Sequence, residues 1–563
     1  MFIWSSKKAT VSARGANHQR RQRGRRFRLE NLEDRRVLAA FSVTNLDDAG
    51  SGSLRAAIEQ ANANPDSDVI NFSPGLQGTI TLQSQLHITN DLAINGPGQQ
   101  QLTISGNDAT RVFRVDGSTT DVELNHLTIA DGFATDVVDG GAFGTTTGGG
   151  GILNLGGNLT LSYVTVANNV SDTQASFIGQ PGKPAQSYGG GIFNRGNAHL
   201  TATHTTFSGN LATAAVGTSF QFHGGGAIFN DANSTAEIHH SLFTGNRTTD
   251  AGGAIYNSDG SQMFISDTTF VDNEALFAGG AIESAPVGLS SGTSAKLTIE
   301  HSSFIDNRAI GDLFAGSNGS GGAIRSGGGS LIVDQSRFVG NEARGGDSST
   351  GNGGIGRGGA IYLPRLGFAY QATISHSRFL DNLAVGGTGG AGKNGGDGRG
   401  GAVMAFGAGK LDIVDSLFNG NEAHGGQGGT GGNGGNALGG AIYNDVLSGT
   451  AGSVSVAGSH VVNNRAIGGA GGQNGGGGVA RGGGIYNGAA VGAAVPTVSL
   501  LRTNVNANRA TGGAGVTQGS GQGGGIYNSV GGTFNVDSLS PIRGNKASAK
   551  DLTDDVFGSL SIL

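Results

Sequence analysis

From residue 79 onward, apolar and polar residues alternate over short runs: "TITL", "LHIT", "LAIN", "LTIS", "RVFRV" and "VELNHLTI" follow one another as far as Ile129. Period-two alternation over so few residues predicts strands with one buried face. From residue 150 the runs fall into a repeating unit. Its marker is the isoleucine, once valine, of a "GG[GA]I" tetrapeptide, found at Ile152, Ile192, Ile228, Ile255, Ile282, Ile324, Ile361, Val403, Ile442, Ile485 and Ile526. Each marker is followed by an asparagine in a turn context: Asn169, Asn210, Asn246, Asn273, Asn307, Asn341, Asn382, Asn421, Asn464, Asn508 and Asn545. Marker spacings run from 27 to 43 residues, and stretches such as "LTIEHSSFIDNRA" (Leu297–Ala309) place apolar Leu297, Ile299 and Phe304 between them.

A period of 20–50 residues signals stacked units that bury their apolar faces against one another. No run between markers is long or periodic enough for the helices of a helical solenoid. The expected fold class is therefore all-β: a single-stranded right-handed parallel β-helix, a pectin-lyase-like solenoid, with about three strands per turn. In such a coil Ile255, Ile282 and Ile324 share one interior column, and Phe243, Phe270, Phe304, Phe338, Phe379 and Phe418 form another. The expected organisation is a basic leader over 1–40, an N-terminal cap over 41–78 and the β-helix over 79–563. Within the cap, Leu54, Ala57, Ile58 and Ala61 recur at helical spacing behind Ser53, a good N-cap residue, and Asn64 before Pro65 ends the segment. This amphipathic helix is expected to cover the open end of the coil, where exposed strand edges invite aggregation.

The recurring asparagines and glycines have a geometric role. Asparagine tolerates left-handed backbone and bonds its own backbone at a bend; stacked at the strand spacing of about 4.8 Å, its amides reach one another. Length variation falls after the asparagine, from "NRTTDAGGAI" (Asn246–Ile255) to "GGTGGAGKNGGDGRGG" (Gly386–Gly401) and "GGQGGTGGNGGNALGG" (Gly425–Gly440). These glycine-rich insertions all leave one edge of the coil. They are expected as flexible or weakly ordered loops, as glycine-rich linkers are, rather than as a stacked glycine sheet.

Composition narrows the classes. Glycine accounts for 108 of 563 residues, far above the usual share of about 7%, yet there is no three-residue period along the chain and proline is only 9, which excludes collagen. Residues 1–40 hold eleven Lys/Arg and three Asp/Glu, a balance of +8 against −6 for the whole chain, so the body carries −14. An acidic body argues against a nucleic-acid partner. With 0 cysteines there are no disulfides, thiolate zinc sites or cysteine nucleophiles, and no apolar run reaches the length of a membrane-spanning helix.

Three stretches resemble known families. Leu29, Glu30, Leu32, Glu33, Arg35, Leu38 and Ala39 in "RRFRLENLEDRRVLAAF" (Arg25–Phe41) resemble the LEPR-XLL leader of exported planctomycete proteins, which implies export. "SLRAAI" (Ser53–Ile58) looks like the "SLREAI" segment at the head of many bacterial β-helix surface proteins, with Ala56 in place of Glu. Seven "FxxN" tetrapeptides, beginning at Phe207, Phe243, Phe270, Phe304, Phe338, Phe379 and Phe418, together with the "GGAI" markers, resemble the polymorphic outer membrane protein repeats of chlamydiae over about residues 150–545. That resemblance implies a β-helical surface passenger, several of whose members act as adhesins. The C-terminal membrane barrel usual in that family is not found after Asn545.

A glycosidase needs two carboxylates about 5–10 Å apart; a lyase needs a calcium-binding carboxylate cluster and a base. The polygalacturonase set "NTD", "DD", "GHG" and "RIK" is missing; Asp47-Asp48 and Asp554-Asp555 lie in terminal segments. Glu300 with Asp334, and Asp412 with Asp415, are candidate neighbours on the coil wall, equally expected of an acidic surface. No catalytic residue and no cofactor is assigned. Aligning units on the strand before "FxxN" puts His126, His204, His240, His301 and His376 in one column, with Asp267, Gln335 and Asp415 on intervening turns. The column reads as a polar ladder at a bend; the sharper alternative is divalent-metal binding by His204 and His240. The expected function is a secreted or cell-surface non-catalytic protein of adhesion or envelope structure, in the extracellular space or at the outer membrane surface, with a polysaccharide or protein ligand. A polysaccharide lyase or glycoside hydrolase is the alternative, on fold analogy alone, and a self-assembling surface filament is the third reading.

Overall fold

The computed structural model describes residues 39–563 apart from 135–144, 173–184, 214–223, 259, 287–293, 313–314, 367, 447–451, 490–493 and 549–553; the leader motif up to Leu38 lies outside the described residues. The described chain is a parallel β-helix of stacked sheets with one short helix. Three walls enclose the core: a wide sheet of sixteen strands, and two sheets of fourteen. A twelve-stranded sheet follows the asparagine turn, and a six-stranded sheet precedes the later glycine pairs. All the pairings within these sheets are parallel and in register, because each turn repeats the one before it.

The wide wall begins earlier than residue 79: the strands Ala39–Val43 and Asp68–Phe72 are its first two members. Between them the helix Leu54–Ala63 buries Leu54, Ala57, Ile58 and Ala61, as its spacing predicts, and Ser53 accepts a bond from the Ala56 N–H. These four side chains join Val43, Ile70 and Ile80 in the main core. The helix thus closes the first turn.

Register confirms each interior column. The marker residues pair in unbroken sequence from Ile152 through Val403 to Ile526. Phe207, Phe243, Phe270, Phe304, Phe338, Phe379 and Phe418 are fully buried and stacked face to face, with centroids 4.5–4.8 Å apart. That separation is the strand spacing itself, so the rings are held in a parallel stack by the backbone.

All eleven turn asparagines form one buried ladder. At its fifth rung, the Asn307 amide donates to Asn341 Oδ1 at 3.0 Å and to the Phe270 carbonyl at 3.0 Å, while its own Oδ1 accepts from the Asn273 amide at 2.9 Å and the Asn273 N–H at 3.1 Å. The ladder ends on Asp555, whose Oδ1 accepts from both the side-chain amide and the backbone N–H of Asn545 at 2.8 and 2.9 Å. A second buried ladder runs through Asn154, Asn194, Asn230 and Asn257, and resumes at Asn444, Asn487 and Asn528. Its asparagines stand two residues after the markers, a constancy already visible in the sequence.

The glycine-rich insertions differ from expectation: they are not loose loops but a stacked lattice. Gly386, Gly389 and Gly392 donate to the carbonyls of His424, Gln427 and Thr430 on the next turn, while Gly387 and Gly390 donate to Gly354 and Gly351 on the previous one. Every third N–H therefore faces the same neighbour, the three-fold period of a polyproline-II-type strand, which leaves no bonds inside itself and must make them outside. The return arm joins in, with Gly396 donating to Gly387 and Gly426 to Gly396. In "GGTGGA" the two glycines of each triplet face neighbouring backbone and the third residue, Thr388 or Ala391, faces solvent. The requirement is for close approach: a Cβ at Gly387 would overlap the carbonyl oxygen of Gly346. Closer to the coil the same squeeze favours alanine, and Ala423, Ala437, Ala466, Ala480 and Ala510 pack between the twelve-stranded and six-stranded sheets.

Two outcomes follow. Gly387→Ala is expected to destabilise by about 1–3 kcal/mol through overpacking, lowering the thermal midpoint, whereas Thr388→Ala leaves it within about 0.5 kcal/mol. Asn307→Ala removes the acceptor of two buried Asn273 donors and is expected to cost about 3 kcal/mol, read as an earlier denaturant midpoint.

Candidate functional site

Outward side chains of the wide wall form an accessible surface with mixed chemistry. On the strands Lys296–Glu300, Ser330–Asp334, Tyr370–Ser375 and Gly409–Val414, alternation buries Leu297, Ile299, Leu331, Val333, Ala372, Ile374, Leu411 and Ile413 and turns the intervening residues out. A shallow groove of about 210 Å³ runs across three of these strands, lined by Ser330, Ile332, Gln371, Thr373, Lys410 and Asp412. Ile332 is 44% exposed, an apolar patch among hydrogen-bonding groups. Lys410 Nζ meets Asp412 Oδ2 at 2.6 Å.

Beside the groove the wall turns a corner, and here the predicted neighbours meet. Glu300 and Asp334 are direct register partners. Asp334 Oδ1 accepts from Ser375 Oγ at 2.7 Å and lies 2.8 Å from His376 Nδ1, while His376 Nε2 lies 3.9 Å from Asp415 Oδ2. Asp412 and Asp415 do not act together, since one is held by Lys410 and the other faces His376. Partial desolvation would raise Asp334, but bonds from Ser375, His376 and Gln335 outweigh it and hold the carboxyl at about 2. The hydrogen bond to Asp334 raises His376, desolvation opposing and the charges of Asp334 and Asp415 assisting.

The histidine column lies at this corner, as the alignment predicts. His126, His204, His240, His301 and His376 all adopt left-handed backbone, with φ of 56°, 51°, 49°, 49° and 48°, as do Tyr163, Asp267, Gln335 and Asp415. Histidine and aspartate are among the residues that tolerate this region, so the column is first a turn requirement. The rings of His126, Tyr163, His204 and His240 stack at 5.0, 4.6 and 5.1 Å. His204 and His240 are thus consecutive members of a ring stack, 5.1 Å apart. Among the described residues no three histidine or carboxylate groups gather as a metal set.

One charged pair was not singled out from the sequence. The position after each marker is apolar in most units, from Phe193, Phe229 and Tyr256 to Tyr443, Tyr486 and Tyr527, but is Glu283 and Arg325 on two consecutive turns. Glu283 is 0% exposed, and its Oε1 meets Arg325 Nε at 2.8 Å. Burial pushes Glu283 up to about 7, with Arg325 opposing the shift. Opposite charges in consecutive copies were the signal. The pair lies where the second asparagine ladder is interrupted, and it closes part of the gap between the two aromatic clusters.

No protein-family model matches the sequence, and no curated protein matches it. Among solved structures the chain is similar to an alginate lyase from Paenibacillus sp. str. FPU-7, at 12% identity over 60% of this chain and 94% of that one, with a TM-score of 0.34. It is similar to a mannuronic acid specific polysaccharide family 6 lyase from human gut microbiota, at 8% identity over 89% of this chain and 86% of that one, TM-score 0.36. It is also similar to PfbA, a surface adhesin of Streptococcus pneumoniae, at 10% identity over 93% and 100% of the two chains, TM-score 0.27. A fold by itself does not select an activity.

The corner pair makes a pH prediction. A raised folded value means that the His376–Asp334 contact contributes stability below the ordinary histidine value of about 6.5 and loses it as pH rises through the folded value. Asp334 is the reverse case: its share is present above the ordinary value of about 3.9 and is lost as pH falls through about 2. An NMR titration is expected to place His376 above an exposed reference histidine, and Asp334→Asn to bring it down.

Proposed function

We propose that this chain is a secreted or cell-surface, non-catalytic β-helical protein that acts in adhesion or envelope structure, with the outer face of the wide wall as its contact surface for an extracellular polysaccharide. The observation that carries this reading is the state of the wall's carboxylates. Asp334 is bonded to Ser375 and His376 and stays ionised to about pH 2; Asp412 is bound to Lys410. Sugar hydrolysis needs one carboxyl kept protonated near neutral pH beside an ionised partner. The acid raised to about 7, Glu283, is buried behind the isoleucine wall and paired with Arg325. What the wide wall does offer is an array of hydroxyl, amide and short apolar side chains at strand spacing, suited to a ligand that repeats along its length.

The export-like leader and the repeated "FxxN" and "GGAI" tetrapeptides support placement at the cell surface, on the pattern of the polymorphic outer membrane protein repeats. The PfbA adhesin and the polysaccharide lyases among similar structures are both compatible with a polysaccharide-facing wall. The lyase or hydrolase alternative makes the opposite statement about product.

A panel of extracellular polysaccharides assayed together for binding and for reducing or unsaturated ends decides between them. Binding without product is expected, weakened by Gln371→Ala with Thr373→Ala. Released product that depends on Asp334 would replace this reading with the enzymatic one. Fractionation is expected to find the chain in the envelope or medium, and cytoplasmic residence would overturn its surface role.

A further inference from the structure

Most part-buried arginines of the coil meet a carboxylate: Arg325 meets Glu283, and Arg55 meets Asp48. One column behaves differently. In the six-stranded sheet, register stacks Ser320, Arg357, Arg399, Leu438, Arg481 and Gln522 over one another. Three of these positions carry a guanidinium, and each lies over a tyrosine ring: Arg357 over Tyr362 at 5.9 Å, Arg399 over Tyr443 at 5.9 Å and Arg481 over Tyr527 at 5.1 Å. The rings fix the cations in place without neutralising them.

Two further observations show charge left unmet within the protein. The Nε of Arg357, Arg399 and Arg481 is buried and has no hydrogen-bond partner. Arg399 alone is bound to a carboxylate, Asp397 at 2.8 Å; among the described residues no ion pair links Arg357 or Arg481 to an acid within 4.0 Å. The remaining members of the column, Ser320, Leu438 and Gln522, are uncharged, so nothing within it repels an anion. A half-buried cation without a counter-charge has lost hydration that a bound anion can replace, and the forked guanidinium fits carboxylate or sulfate oxygens in pairs.

We propose that this column is a binding stripe for an acidic polysaccharide, a chain carrying carboxylate or sulfate ester groups along its length. Adjacent strands are about 4.8 Å apart, so Arg357 and Arg399 stand one strand spacing apart, and Arg399 and Arg481 two. A polymer engages several such sites at once, which multiplies weak single contacts. The inference rests on the polysaccharide reading above, but it locates the acidic groups' contact on the six-stranded sheet and not on the wide wall.

The test is calorimetric titration of the full chain with polygalacturonate, dextran sulfate and neutral dextran at low salt. At least one anionic polymer is expected to bind, with affinity that falls as salt rises, and the tighter of the two identifies the acid group. Arg357→Gln with Arg481→Gln is expected to weaken that binding by at least about tenfold. The exposed pair Arg337→Gln with Arg378→Gln is expected to leave it unchanged. Arg357→Lys with Arg481→Lys keeps the charge and loses the fork; its expected loss is intermediate, and it replaces the glutamine pair if that variant melts early. Equal binding by wild type and both double variants, or no binding of either anionic polymer, overturns the stripe. Neutral polysaccharide binding sensitive to Gln371→Ala and Thr373→Ala would in that case leave the broader reading in place.

Discussion

Each turn of this protein lays its side chains one strand spacing from the same positions in the next, and this coincidence of like with like is the constraint on which the structure depends. A side chain that can satisfy itself against its own copy is stabilised along the whole column. Asparagine does so because its amide offers a donor and an acceptor in opposite directions: the Asn307 amide gives to Asn341 and its oxygen receives from Asn273. Phenylalanine does so by face-to-face packing at 4.5–4.8 Å. The ladder needs a terminus that accepts, and Asp555 Oδ1 supplies it at Asn545.

Like charges on successive turns repel, and the coil relieves much of that repulsion in three ways. Over four strands of the twelve-stranded sheet the signs alternate on the solvent face, Arg247 to Glu274, Glu274 to Arg308 and Arg308 to Glu342, a pattern in which each inner rung attracts both neighbours. At the corner of the wide wall imidazoles and carboxylates share the column, and His376 is placed between Asp334 and Asp415. Inside, Glu283 is tolerated only because the next turn supplies Arg325. The guanidiniums of Arg357 and Arg481 fit none of these patterns, which is what gives them functional interest.

The glycine lattice applies the same constraint to the backbone alone. With no side chain on two of every three residues, the arms approach until N–H and C=O of successive turns meet, and the insertion becomes an extension of the coil. Glycine content by itself reads as flexibility because an isolated glycine strand has nothing to bond to; the ordering comes from having a neighbour of the same kind on the turns above and below.

The parallel coil, the isoleucine and phenylalanine columns, the asparagine ladder, the capping helix and the histidine column were all legible from the chain, because each is a short-period pattern in which spacing dictates neighbours. The pairing of Glu283 with Arg325 was equally present, as opposite charges at one repeat position, but gave no sign of its burial. What only the tertiary structure decided was how the variable segments lie: that Gly386–Gly401 and its counterparts pack as a lattice, that Asp555 caps the ladder and that three arginines settle on tyrosines. The glycine arms and the Asp555 contact join segments whose lengths differ from turn to turn, so no fixed spacing in the sequence encodes them; the arginines stand four residues before the markers Ile361, Val403 and Ile485, and the fold adds only the ring that each one meets.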